Sequence, residues 1–233
     1  MTKAQEKRDG LAAWWSRPPW PVVILAADPG RRAGAAILSC DRGGVELVKA
    51  VPVDTYTREV DVLVKLALAK AEQRGVPFFL ALEAWGRGGP MGIDQWLGLG
   101  EQRGAWRRTF IIEAPEHQRN VVQVTQSRWR SRMVEETGDM TTGQWQPFGP
   151  DGWKQAALRA ARAHLIDGYV PDDPDAAEAT CIALFAARSD EVGNKLSKRY
   201  LAGAGYDPVV ELENLISGKE KRKRGRTAKL QNT

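Results

Sequence analysis

The apolar run from Pro21 to Asp28 restricts most strongly how this chain can fold. Its last residue is its only polar one, so the run predicts a β-strand that is buried on both faces. Asp28 ends the strand, and Pro29-Gly30 is typical of a turn. Such a strand belongs in the interior of a sheet, with further strands beside it and helices covering both faces.

The rest of the sequence predicts these elements. Three more strands alternate with turn signals before residue 90, at about 33–40, 45–53 and 77–83, and a short one follows at 121–124. Helical spacing of apolar residues predicts helices at about 58–73, 94–110, 127–136, 153–165 and 174–188. This order predicts an α/β fold, with a mixed five-stranded sheet flanked by helices.

Basic charge is concentrated at the C-terminus. The net charge is +5, yet residues 218–233 carry seven Lys or Arg against Glu220, or +6, which leaves −1 for the rest. The segment has no apolar periodicity and is predicted to be a disordered basic tail. It indicates a polyanionic partner, most simply nucleic acid, although a solubilising tail would have the same composition. Before it, we expect a Trp-containing N-terminal extension (1–20), the α/β domain (21–190) and a C-terminal extension (191–217).

Several protein classes are disfavoured. Cys40 and Cys181 have apolar neighbours and are predicted to be small buried side chains in a reducing compartment. With two histidines besides, the chain has too few ligands for a zinc site. No apolar run has the length of a membrane span, and residues 1–10 lack the apolar segment of a signal peptide. We therefore expect a cytoplasmic protein.

Two of the predicted buried strands end in an acid, Asp28 and Glu83. If the helix between them makes a right-handed crossover, the strands are parallel and their carboxyl ends share the sheet edge where ligands bind. A carboxylate there is costly to bury without a partner, and a divalent cation is one such partner. Each acid alone also has an ordinary explanation, since Asp28 suits a turn and Glu83 could pair with an arginine.

A second pair of acids begins the helix predicted over 174–188. Asp173 suits the N-cap and Pro174 the first helical position, so Asp175 and Glu178 lie three residues apart on one face. The same face continues with apolar side chains, namely Ala179, Ile182, Phe185 and Ala186. A favourable interaction with the helix dipole would explain acids near this end, but not acids at the start of a buried face.

Four carboxylates at one sheet edge would repel one another unless cations neutralise them. Hard oxygen ligands select Mg²⁺ or Mn²⁺. Two such ions about 3.5–4 Å apart can activate a water and stabilise the leaving oxygen in phosphodiester hydrolysis. Asp28, Glu83, Asp175 and Glu178 are therefore the predicted metal ligands and catalytic residues.

These motifs resemble the RuvC-type Holliday-junction resolvases. The matching segments are VILAADPGRRAG at 23–34, LE at 82–83 with LGLGEQRG at 97–104, DAAEA at 175–179 and, more weakly, VTQSRWR at 124–130. They span Pro21 to Arg188 in the family's order. Glu178 stands where the family usually has Asp, and residues beyond Arg188 have no counterpart, which suggests a divergent member of bacterial or phage origin.

The resemblance implies an RNase H-like nuclease domain over 21–190, a site for two divalent cations on the four acids, and a homodimer that cuts both strands of a four-way DNA junction in recombination or repair. The helix over 94–110 is the expected dimer interface. Trp85 could stack on an unpaired base, and the tail could add non-specific affinity. The candidate nucleic-acid contacts are Trp85, Arg87, Arg31, Lys154, Lys221, Arg222, Lys223 and Arg224.

Other tryptophans have structural explanations. Those on predicted helices fit the core or a dimer interface, namely Trp96, Trp106, Trp129 and Trp153. Trp14, Trp15 and Trp20 fit an N-terminal segment folded back on the domain.

Two alternatives to junction cleavage remain open. An RNase H-like nuclease could act on another substrate, such as RNA–DNA hybrids or simpler branched DNA. An actin- or sugar-kinase-like ATPase can also have a first strand ending in Asp and Gly. It would need a second Gly-rich phosphate loop, for which Ala202-Gly203-Ala204-Gly205 is a poor match. A catalytically inactive DNA-binding scaffold is disfavoured because all four acids are present.

Overall fold

A computed structural model of the chain describes residues 17–30, 32–41, 43–84, 93–136, 152–165 and 171–203. The chain divides into two compact units, Met1–Gly193 and Asn194–Thr233. The sheet and the candidate site belong to the first unit. Within the second, residues 194–203 are helical.

Five strands of the described chain form one mixed sheet. They are β1 (Val22–Asp28), β2 (Arg32–Asp41), β3 (Gly44–Asp54), β4 (Phe78–Ala84) and β5 (Val121–Thr125). The order across the sheet is β3-β2-β1-β4-β5. Strands β1, β2 and β3 pair antiparallel, whereas β4 pairs parallel with both β1 and β5. The predicted mixed five-stranded sheet is confirmed, and β1 lies at its centre because residues 22–27 are wholly apolar and fully buried.

The predicted helices are all present, with ends shifted by at most three residues. The helices are α1 (Glu59–Arg74), α2 (Ile93–Glu113), α3 (Gln126–Glu136), α4 (Gly152–His164), α5 (Pro174–Arg188) and α6 (Asp190–Gly203). Gly75 ends α1 with a left-handed φ of 63° and donates to the carbonyl of Glu72. The sequence does not predict α6, because this segment lacks a long apolar stripe and is rich in charged residues at its start.

The alternation of side chains assigns the strand residues to two faces of the sheet. On one face, Leu25 and Leu80 join a core that includes Trp106 and Phe110 of α2 and residues of α1. Helix α5 covers the other face and packs on β1 and β2, while α4 packs on α5. Small side chains let α5 pack closely on the sheet, and three of them are fully buried, namely Ala176, Ala177 and Ala179.

The other structural predictions are largely confirmed. Cys40 and Cys181 are buried free thiols, and burial raises the pKa of Cys40 to about 12. Trp106 and Trp129 are buried, and the backbone N–H of Trp20 donates to the carbonyl of Ala187 at 2.9 Å, so Trp20 lies against α5. Trp14, Trp15 and the side chains of Trp96 and Trp153 lie outside the described residues. None of the described helices has the length and apolar character of a membrane span.

Candidate active site

Asp28 and Glu83 lie side by side at the carboxyl ends of two parallel strands. The register of β1 and β4 pairs Ala27 with Leu82, so the next residues of the two strands are the two acids. Both point to the face covered by α5, because their neighbours Ala27 and Leu82 belong to the core on the opposite face. Their carboxyl groups share a hydrogen bond, and Glu83 is only 3% exposed.

Burial raises the pKa of Asp28 well above its ordinary value, and the adjacent Glu83 raises it further. Burial also raises the pKa of Glu83, although hydrogen bonds with Asp28 and Trp129 oppose this shift. Two carboxylates in contact cannot both hold a full charge at low cost without a cation. The pair therefore has the electrostatics of a site that retains a proton until a positive charge replaces it.

Asp175 and Glu178 reach the same edge from α5. Asp173 caps the helix, since its carboxylate accepts from the N–H groups of Asp175 and Ala176 at 2.9 and 3.1 Å, as predicted. Both Asp28 and Glu83 interact electrostatically with this turn, Asp28 with Asp175 and Glu83 with Glu178. The side chain of Asp175 is 23% exposed and that of Glu178 is 7% exposed. The structure thus brings the four predicted acids to one place.

Gly34 allows this approach. It pairs with Asp28 across β1 and β2, and a Cβ at this position would lie 1.8 Å from the carbonyl oxygen of Asp175. No side chain fits in that space, and the obstacle is backbone, which cannot rotate away. Gly34 therefore fixes how closely the first turn of α5 sits against Asp28.

Two residues that sequence reasoning did not assign to the site hold the acids. Trp129 is 1% exposed and donates from Nε1 to Glu83 Oε1 at 2.8 Å. Arg130 donates to Glu178 Oε1 at 3.1 Å and interacts electrostatically with Asp28 and Glu83. A hydrogen bond to a charged group contributes roughly 1.5–3 kcal/mol, less than the cost of burying several unpaired charges. The sequence signal that could have identified these two residues is their position just after β5, whose carboxyl end lies at the same edge of the sheet as Glu83.

Arg32 was also missed. It donates to Asp173 Oδ2 at 3.0 Å and lies 3.9 Å from Asp175 Oδ2, while 71% of its side chain remains exposed. The neighbouring Arg31, which the sequence predicts as a nucleic-acid contact, lies outside the described residues. The same holds for other candidate nucleic-acid contacts, namely Trp85, Arg87, Lys221, Arg222, Lys223 and Arg224. Lys154 lies in α4, but its side chain is also outside the described residues.

A metal centre is not fully assembled in this arrangement. Among the described residues, no group of three or more Asp, Glu, His or Cys side chains is placed to hold a metal ion. Arg130 and Trp129 engage one oxygen each of Glu178 and Glu83, which a cation would otherwise use. The chemistry of the donors nevertheless fits a hard divalent cation, because all are carboxylates and burial raises the pKa of both Asp28 and Glu83 despite the nearby Arg130.

Known proteins resemble this chain in structure and not in sequence. No protein-family model and no curated protein matches the sequence. Among solved structures, the chain is similar to Thermus thermophilus RuvC in complex with a Holliday junction substrate, at 15% identity and a TM-score of 0.48 over 74% of this chain and 96% of that one. The fold itself is α/β, with a mixed five-stranded sheet flanked by helices.

Two further structures show the same likeness. Thermus thermophilus RuvC is 16% identical with a TM-score of 0.46, covering 73% of this chain and 96% of that chain. The yeast mitochondrial Holliday junction resolvase Ydc2 is 13% identical with a TM-score of 0.39, covering 77% and 86%. At these identities and TM-scores the likeness assigns no function, so any function has to be supported by the chain's own residues.

Proposed function

We propose that this protein is a divalent-metal-dependent endonuclease that cuts branched DNA, with four-way junctions as its preferred substrate. One observation supports the proposal: Asp28, Glu83 and the Asp175–Glu178 pair, which come from three separate elements, lie near one another at one edge of the mixed sheet. Buried like charges are costly unless a cation neutralises them. Such a cluster is therefore better explained by a bound cation than by a structural role.

Each of the four carboxylates would serve as a ligand. Divalent cations bound there would supply an activated water and charge compensation for the leaving oxygen. Within the protein, Trp129 fixes the orientation of Glu83, and Arg130 holds Glu178 and lowers the charge of the cluster. Because the side chain of Glu178 is one methylene longer than that of Asp, its carboxylate could reach a bound cation after it leaves Arg130.

The substrate class rests on sequence features. The resemblance of residues 21–188 to junction resolvases favours a four-way junction, and the basic tail favours a nucleic-acid partner. Symmetric cuts in a two-fold junction call for two active sites related by two-fold symmetry, hence a homodimer. Asp175, whose side chain is 23% exposed in the first turn of α5, would face the scissile strand.

The decisive experiment compares three substrates: a four-way junction, a nicked duplex and an RNA–DNA hybrid, each with Mg²⁺, Mn²⁺ or EDTA. We expect paired cuts in the junction with either metal and none with EDTA. Preferential cleavage of the hybrid would instead indicate an RNase H-type enzyme. ATP hydrolysis without any nuclease activity would point to the ATPase alternative.

Variants of the acids test the mechanism. Asp28→Asn, Glu83→Gln, Asp175→Asn and Glu178→Gln should each reduce cleavage by at least about 100-fold, the scale of losing a key electrostatic group. Junction binding should persist, because phosphate contacts elsewhere supply most of the affinity. Glu101→Gln, an exposed carboxylate on α2, is the matched control. Full activity of Asp28→Asn would refute the mechanism.

A further inference from the structure

The guanidinium group of Arg103, on α2, does not use all of its hydrogen-bond donors. Its Nε atom is buried and has no hydrogen-bond partner among the residues that the structure describes, and the side chain is partly buried. The preceding residue, Gln102, is similar, since its Oε1 is buried without a donor. A buried polar atom without a partner costs roughly 1–3 kcal/mol, and native proteins contain few of them.

Arg103 also lies close to the candidate active site. Its guanidinium interacts electrostatically with Glu83, at the carboxyl end of β4. Burial lowers the pKa of Arg103, and Glu83 opposes that shift, yet an arginine stays protonated in proteins. Glu83 accepts a hydrogen bond from Trp129 at Oε1 and shares another with Asp28. Arg103 is therefore a positive charge near the acids, and none of the described carboxylates forms an ion pair with it.

We propose that Arg103 binds a backbone phosphate of the nucleic-acid substrate next to the four acids. The buried Nε itself is closed to a phosphate, but the planar guanidinium can bind one through two parallel hydrogen bonds from the accessible part of the side chain. The inference rests on the proposed nuclease function, and it adds a substrate contact from α2, on the side of the sheet opposite to α5.

The alternative is a purely structural role for Arg103. The two roles predict opposite effects on stability. A structural arginine stabilises the fold, so its replacement lowers Tm. A partly buried guanidinium without a bound ligand destabilises the free protein, so Arg103→Gln should leave Tm unchanged or raise it.

Binding measurements without cleavage provide the main test. In EDTA, Arg103→Gln should weaken junction binding by roughly tenfold or more, the effect expected for one charge-assisted hydrogen bond. Arg103→Lys should recover only part of the loss, because an ammonium group cannot bind in a bidentate manner. Arg107→Gln, which removes an exposed charge from the same helix, is the matched control and should change affinity by less than about threefold.

Neutral phosphates identify the contact itself. A set of junctions is prepared, each with a single neutral methylphosphonate at a different position. At one position the substitution should weaken binding by the wild-type protein but not binding by Arg103→Gln. A position near the cut site is expected. Wild-type affinity and Tm in Arg103→Gln, or a fall in Tm with no position-specific effect, would overturn the inference. Since all of these readouts are taken in EDTA, they stay decisive even if the wild-type protein cleaves nothing with Mg²⁺, an outcome that would refute only the nuclease function.

Discussion

Asp28 combines burial with a like-charged neighbour, and this has a consequence for stability. Since the pKa of Asp28 is raised in the folded protein, the folded state keeps a proton that the unfolded state releases. Stability without metal should therefore fall as pH rises from about 4, the ordinary carboxyl pKa, up to the raised value. Asp28→Asn should remove part of this decline and be more stable than the wild type at neutral pH.

Thermal unfolding from about pH 4 to pH 8 measures this effect. Mg²⁺ should raise the Tm of the wild-type protein more at neutral pH than in acid, because protons and cations compete for the same oxygens. Asp28→Asn should lose most of that response to Mg²⁺. A wild-type Tm that rises steadily with pH in EDTA would show that Asp28 is ionised and stably paired in the folded state.

The close packing of β2 against the start of α5 depends on Gly34. An alanine there would place its Cβ within 1.8 Å of the Asp175 carbonyl oxygen, so the start of α5 has to move away from Asp28. Since a displacement of about 1 Å in a catalytic constellation can cost about 100-fold in rate, Gly34→Ala should lose at least that much cleavage activity. It should also show weaker Mg²⁺ binding by calorimetry.

Gly98→Ala is the matched control for that variant. Gly98 lies in α2 with open space around the position of a Cβ, so an alanine is expected to keep activity and to stabilise the helix by up to about 1 kcal/mol. If Gly34→Ala cleaved junctions at the wild-type rate, the close approach of β2 to α5 would not control the site.

Dimer formation depends on which surface of the protein contacts a second copy. Helix α2 exposes Leu97, 61% accessible, near Gly100 and Gly104, where a Cβ would meet nothing within 4 Å. This is the helix that the sequence predicts as the dimer interface. Light scattering should show a dimer, and Leu97→Glu should shift it towards a monomer.

Val62→Glu is the control for the dimer test, because Val62 is equally exposed, at 62%, but lies on α1. It should leave the dimer intact. A monomeric wild-type protein that still cuts both strands of a junction at the same concentration would rule out the two-fold model.

The basic tail should act on affinity and not on substrate shape. Deleting residues 218–233 removes a net charge of +6, so binding to all DNA forms should weaken alike. Each phosphate that the truncated protein no longer neutralises reduces the slope of log K against log salt by about 0.9 on duplex DNA, so the slope should flatten by a few units. Salt titrations on junction and duplex measure this. A weakening confined to the junction would assign the tail a role in shape recognition, and an unchanged slope would leave it a solubilising segment.

Local sequence patterns determined much of this protein. An apolar run shows that β1 is buried on both faces whatever lies next to it, and the Asp173-Pro174 start of α5 follows from backbone hydrogen bonding within one turn. The positions of the four acids follow from the same patterns, since each lies at the end of a strand or at the start of a buried helix face.

Only the tertiary structure decided how these acids are held. Trp129 and Arg130 bind Glu83 and Glu178 across 46 and 48 residues of sequence, and Gly34 meets Asp175 across a still longer separation. Periodicity shows which face of an element a residue occupies, but not which residue of another element lies opposite. That depends on the register of β1 and β4 and on the depth at which α5 packs, which are set by the packing of all the elements together.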